Sequence, residues 1–93
     1  MKNYAYLLRC GDGSYYAGWT NHLKERLEAH QAGKGAKYTR SHAPVLLVYF
    51  EEFETQKEAM QREYALKKLS HSQKERLAEL FPPSQLLPFL SSQ

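Results

Sequence analysis

One cysteine, Cys10, stands in a chain of 93 residues, so no intrachain disulfide can form and nothing points to a secreted, disulfide-stapled fold. The cytoplasm is the expected compartment. Long apolar runs are missing as well. The opening MKNYAYLLRCGDG has too short an apolar run for a signal peptide, and no stretch nears the roughly 20 apolar residues that a membrane helix needs. There are no internal repeats or low-complexity segments. Acidic residues are absent from one interval, between Glu28 and Glu51, which holds His30, Lys34, Lys37, Arg40 and His42. Net charge is only +3, so it is this local concentration that suits a phosphate backbone. A solvated basic loop has the same composition.

What is present is the balance of one ordinary globular domain, with 42% hydrophobic and 25% charged residues. Lys2 to Cys10 alternates as a strand, with Tyr4, Tyr6, Leu8 and Cys10 on one face and Ala5, Leu7 and Arg9 on the other. Both faces are substantially apolar, which predicts a strand inside a sheet with another layer packed over it. Gly11-Asp12-Gly13-Ser14 has the chemistry of a tight hairpin turn, so Tyr15 to Gly18 returns antiparallel. A helix follows, capped by Thr20 or Asn21 and ending near Gly33. Gly33 to Pro44 has no periodicity and is expected to be a loop. Val45 to Phe50, extending towards Phe53, predicts a buried strand.

Thr55 can cap a second helix whose core-facing positions are Ala59, Met60, Leu66 and Leu69. A third, shorter helix opens at Ser70 or Ser72, where Ser72-Gln73-Lys74-Glu75 fits a capping box; it carries Leu77 and Leu80 and stops at Pro82-Pro83. The order β-β-α-β-α-α predicts an α+β fold with a small three-stranded antiparallel or mixed sheet flanked by helices. Residues 1–80 form the expected domain and residues 81–93 a C-terminal tail. Leu86, Leu87, Phe89 and Leu90 either pack that tail on the domain or leave an exposed patch. A monomer is expected, with weak self-association through the tail as the alternative.

Two helices carry polar residues where the core should be. On the first, Leu23 and Leu27 share a face with Arg26 and His30, which are either snorkelling edge residues or the lining of a polar site. On the second, the register that buries Ala59 and Leu66 also turns Glu63 inward. A buried carboxylate requires a cation, either a protein side chain such as Arg26 or an ion from solution. Tyr4, Tyr6 and Tyr16 are core aromatics by one reading and additional hydroxyls of the same polar group by the other.

Tyr4-Ala5-Tyr6, then after nine intervening residues Tyr16-Ala17-Gly18, then Arg26, His30 and Glu63, resembles the GIY-YIG nuclease superfamily over roughly residues 3 to 77. Its short stand-alone bacterial members share the LLRCGDGSYYAG opening, the GKGAKYTR loop and the helix written here as Glu58 to Leu69. The resemblance implies a metal-dependent endonuclease or nickase that hydrolyses DNA phosphodiester bonds. Glu63 is then the ligand of one Mg²⁺ or Mn²⁺, a cation that one carboxylate with waters and phosphate oxygens can hold. Arg26 neutralises transition-state charge, Tyr6 or His30 is the base, and Tyr16 orders water or phosphate. Lys34, Lys37 and Arg40 contact phosphates and Tyr38 stacks on an unpaired base.

The resemblance has departures. Tyr4 replaces a glycine, Ala5 and Ala17 replace isoleucines, and the distal asparagine of many members is missing, since Asn3 and Asn21 both come too early. Lys67 and Ser70 are the candidates to stand in for it. With little surface left for base readout, low sequence specificity is expected, with structure selectivity in DNA repair or recombination and RNA left open as a substrate. The alternative is a nucleic-acid-binding module that kept the fold and lost efficient chemistry.

Overall fold

The computed structural model describes residues 2–90. The expectations for residues 91–93 and for packing by the Leu90 side chain lie outside the described residues. Strand β1 (Asn3–Cys10) is central, flanked by β2 (Tyr15–Thr20) and β3 (Val45–Phe53) in the order β2-β1-β3, and both pairings are antiparallel. Its alternation sorts side chains into two cores. Tyr6, Leu8 and Cys10 pack with Leu23, Leu27, Val45 and Leu47 on one face; Ala5 and Leu7 pack with Ala17 and Leu66 on the other. Each fully buried leucine here contributes roughly 1.5–3 kcal/mol by leaving water.

The two faces are covered by different helices. α1 (Leu23–Gln31) lies over the first, burying Leu23, Leu27 and His30. It begins later than its caps suggested: β2 runs on to Thr20, whose Oγ1 accepts from the His22 N–H, and His22 is the N-cap without a side-chain bond. α3 (Gln56–Lys67) lies over the second face, with Ala59 and Leu66 buried against the sheet. Thr55 caps α3 as expected and closes a reciprocal box with Glu58. Met60 does not face the core; it is 44% exposed, because only the stripe through Ala59 and Leu66 meets the sheet.

Three further expectations are corrected. The segment read as a loop contains a short helix, α2 (Lys37–Ser41), whose five residues are too few to show a period. β3 is an edge strand with only Val45 and Leu47 buried, and Leu46 is 48% exposed. A register shift between Leu7 and Leu8 interrupts its pairing, so the continuous apolar run reflects an irregular edge and not full burial. α4 (His71–Leu80) is capped by Ser70, one of the two expected starts, with Gln73 as the reciprocal partner, two residues earlier than the Ser72–Glu75 box, and Leu80 is 68% exposed. His71 Nε2 donates to the Gly13 carbonyl at 2.9 Å, which ties α4 to the hairpin.

After α4 the chain turns through Pro83–Gln85 into α5 (Leu87–Leu90). Both tail outcomes occur. Leu86 and Phe89 pack against the first core, where Phe89 meets Phe50 with ring centres 5.4 Å apart, whereas Leu87 is 60% exposed. No helix among the described residues is long and apolar enough to cross a membrane.

Candidate functional site

The site is built around the hydroxyl of Tyr6. β1 points this ring into the first core, and Gly18 lies directly opposite on β2. A Cβ at Gly18 would sit 2.5 Å from the Tyr6 oxygen, so the absence of a side chain there is what gives the phenol its room. α1 brings His30 from the helix face that also carries Leu23 and Leu27. His30 Nε2 lies 2.9 Å from the Tyr6 oxygen, and Nδ1 lies 2.8 Å from Thr39 Oγ1 on α2. Thr39 in turn donates to the Ala36 carbonyl at 2.9 Å. All three side chains are buried, Thr39 completely. The GKGAKYTR segment contributes a second spatial constraint, since a Cβ at Gly35 would fall 2.2 Å from His30 Nδ1.

Electrostatics identify the remaining members. Burial pushes the Tyr6 phenol up to about 12; the Arg26 guanidinium acts in the opposite direction, and the Tyr16 and Glu63 charges add to the rise. Tyr6 therefore feels groups from β2, α1 and α3 at once. Burial, and secondarily the charge of Arg26, lowers His30 to about 4, so its ring is neutral at pH 7. Tyr16 lies with its ring centre 5.4 Å from that of His30. On its other side it stacks at 6.1 Å with Tyr38, which stacks at 4.0 Å on His42.

Glu63 is half-buried, and its ion pair is with Lys67 at 3.8 Å, one turn along α3. Among the described residues no ion pair joins Arg26 to Glu63, so the structural bridge between the two helices is not formed. No group of three or more His, Cys, Asp and Glu residues, among those described, could hold a metal. A hard divalent cation held mostly by water and phosphate oxygens needs only one or two carboxylates, and Glu63 meets that requirement with 21% of its side chain exposed. The donor set thus fits a cation of the Mg²⁺ type and not a caged metal.

Other candidates fall outside this group. Tyr4 shares the strand face of Tyr6 but lies two residues along, where its ring meets Phe50 at 6.1 Å. Lys34, Lys37 and Arg40 are exposed on and before α2. Tyr38, 40% exposed, already donates to Ser14 Oγ at 2.6 Å and has one face against His42. Ser70 is committed to capping α4. Lys67 is better placed: with Tyr15, Tyr16, Ala17, Tyr38 and Lys74 it lines a cavity of about 230 Å³ beside the site. Sequence reasoning missed Lys74, Gly35 and Thr39. Thr39 left no local signal, because its segment has no periodicity and its partner is nine residues away.

The arrangement is a buried tyrosine–histidine pair with an arginine and a carboxylate acting on one phenol, carried on a three-stranded sheet. The chain belongs to the GIY-YIG family: the model of the GIY-YIG catalytic domain matches residues 2–76. The family is one of nucleases that act on DNA. Among its relatives, the UPF0213 protein of Clostridium perfringens is 58% identical over 72 residues, covering 77% of each chain. The UPF0213 protein of Staphylococcus haemolyticus is 47% identical over 78 residues, covering 84% of this chain and 95% of that one. The solution structure of a UPF0213 protein from Bacillus halodurans is 46% identical, with a TM-score of 0.54 over 86% of this chain and 85% of that one.

Proposed function

We propose that this protein is a divalent-metal-dependent endonuclease or nickase that hydrolyses DNA phosphodiester bonds with low sequence specificity. One observation carries the reading: the single hydroxyl of Tyr6, 2.9 Å from His30 Nε2, is acted on by side chains from β2, α1 and α3 with opposite charges among them. Packing alone has no reason to surround one buried phenol with a guanidinium and a carboxylate. Tyr16 and Arg26 serve the phosphate, Arg26 because its planar fork matches phosphoryl oxygens. Of the two base candidates the geometry favours Tyr6. Both ring nitrogens of His30 are engaged, by Tyr6 and Thr39, whereas the Tyr6 oxygen also faces Arg26. His30 then acts behind Tyr6 as the acceptor of its O–H, and because burial holds the phenol near 12 and the imidazole near 4, the proton passes to it only with the help of the Arg26 charge and the bound cation.

Glu63 would hold the Mg²⁺ or Mn²⁺, which when bound would supply Lewis-acid polarisation of the scissile phosphate and charge to offset that building on its oxygens. Lys67 stands beside Glu63 and supplies a positive charge in the place of the missing asparagine. Lys34, Lys37 and Arg40, with Tyr38 between them, take the flanking backbone. One observation favours the alternative, a binding module with weak chemistry: the Lys67 ammonium already occupies the neighbourhood of the only carboxylate assigned to a metal.

Cleavage separates the two. Branched, nicked, single-stranded and plain duplex DNA are each incubated with the protein and Mg²⁺ or Mn²⁺, alongside Glu63→Ala and Arg26→Ala. We expect cutting of at least one substrate, lost by at least about 100-fold in each variant. Cutting by none of the proteins, or equally by all three, would leave only the binding module.

A further inference from the structure

We propose that Thr39 is a positioning residue that fixes the tautomer of His30, and so compels the Tyr6 hydroxyl to point its proton at the imidazole. The argument is a count of protons. A threonine hydroxyl carries one donor hydrogen, and Thr39 Oγ1 lies 2.9 Å from the Ala36 carbonyl, which only accepts. That hydrogen is therefore spent, and at its 2.8 Å contact with His30 Nδ1 the threonine oxygen must accept. Nδ1 then bears the imidazole hydrogen.

A neutral imidazole has one N–H, and burial keeps this ring neutral at pH 7. Nε2 is thus a bare lone pair, and the Tyr6 O–H donates to it across 2.9 Å. The chain of bonds has one direction: Tyr6 to His30, His30 to Thr39, Thr39 to the Ala36 carbonyl. With the opposite tautomer, Nδ1 and Thr39 would meet as two acceptors in a site with no exposure at Thr39, leaving a buried polar contact unsatisfied. The structure leaves no buried side-chain nitrogen or oxygen without a partner among the described residues.

The chemical consequence rests on the nuclease reading above; the order of hydrogen bonds does not. Moving the phenolic proton to Nε2 breaks the Tyr6 O–H bond and forms an N–H bond. The products are a phenolate facing Arg26 and an imidazolium whose Nδ1–H is already held by Thr39. A ring bearing its hydrogen on Nε2 could not accept that proton. Thr39 lies on α2 between Lys37 and Arg40, so the short helix that carries exposed cations outward holds the buried relay inward.

The test is nitrogen NMR of the ¹⁵N-labelled full chain at pH 7, where the His30 ring among the four histidines is assigned by its loss in His30→Gln. In wild type and in Thr39→Ser we expect a protonated Nδ1 and an unprotonated Nε2. In Thr39→Val, which keeps the shape and removes the acceptor, that tautomer is lost, and cleavage falls by at least about 10-fold while Thr39→Ser restores it. A protonated Nε2 in wild type, or an unchanged His30 ring in folded Thr39→Val, overturns the proposal. Should Thr39→Val not fold, wild type and Thr39→Ser decide by the same criterion: Nδ1–H in both supports it, Nε2–H in either overturns it. If wild type shows the expected tautomer and cuts no DNA, the nuclease reading falls and the hydrogen-bond order stands.

Discussion

His30 shows how burial converts an ordinary titrating side chain into a structural constraint. In the unfolded chain its imidazole protonates near 6.5, whereas in the fold, closed in by Tyr6, Tyr16 and Thr39 and repelled by Arg26, it does so only near 4. Between these values the unfolded state binds more protons than the folded one, so stability rises with pH in that window. The contribution is fully present above about pH 6.5 and is lost as pH falls towards about 4, a total of roughly 3 kcal/mol. Urea unfolding at pH 7.5, 6, 5 and 4 reads this loss. In His30→Gln the same series should lack the His30 part of the slope; an identical slope would show that His30 is not buried neutral. Arg26 and Glu63, on helices that cover opposite faces of the sheet, were legible as anomalies of register, but their lack of a mutual ion pair was not. Helical periodicity places a side chain on a face and says nothing of its reach across to another helix.

At the level of elements, helix starts depend on a few side-chain bonds that can be removed singly. Thr55 and Ser70 each close a reciprocal box, with Glu58 and Gln73 respectively. Thr55→Ala and Ser70→Ala are each expected to cost about 1 kcal/mol by leaving first-turn N–H groups without their acceptor. Because the two boxes share no partner, the double substitution should cost the sum, read by thermal or urea unfolding. Thr55 was identifiable beforehand because one candidate preceded its helix. Ser70 and Ser72 competed within three residues, and the choice was made by where the chain leaves α3: Leu69 packs into the second core, and the next helix starts at the earlier of the two serines. α2 is the opposite case. A five-residue helix has no propensity signal of its own and is held by the Thr39 contact to His30.

On the scale of the whole molecule, the basic interval and the buried relay belong to one surface. Lys34, Lys37 and Arg40 are exposed within seven residues of one another, and Lys67 and Lys74 approach the same region from the other layer. If these cations meet phosphates, binding follows counterion release. Each of Lys34→Ala, Lys37→Ala and Arg40→Ala should reduce the slope of log affinity against log salt by about 0.7–0.9, the smaller value for single strands. Tyr38→Ala should leave the slope unchanged, since it removes no charge. Fluorescence anisotropy with labelled DNA between 50 and 200 mM salt, on the order of the range over which such effects are large, measures both. Unaltered slopes in all three cation variants would assign the interval to solvent.

The elements that the sequence alone determined are those written in local code. The alternation of β1, the hairpin, the Thr55 box and the offsets of Tyr6, Tyr16, Arg26, His30 and Glu63 all depend on spacings within a strand, a turn or a helix, which backbone geometry fixes before any packing. The tertiary structure decided what depends on distance across the fold. It made β3 an edge, turned Met60 outward, sent Tyr4 to Phe50, and joined Thr39 to a histidine on another helix. The central bond, between Tyr6 and His30, spans 24 residues of chain, and its direction follows from a third side chain that no periodicity marks. Those partners are chosen by which atoms the two cores press together once water is excluded, because a buried donor must then find whatever acceptor lies within reach.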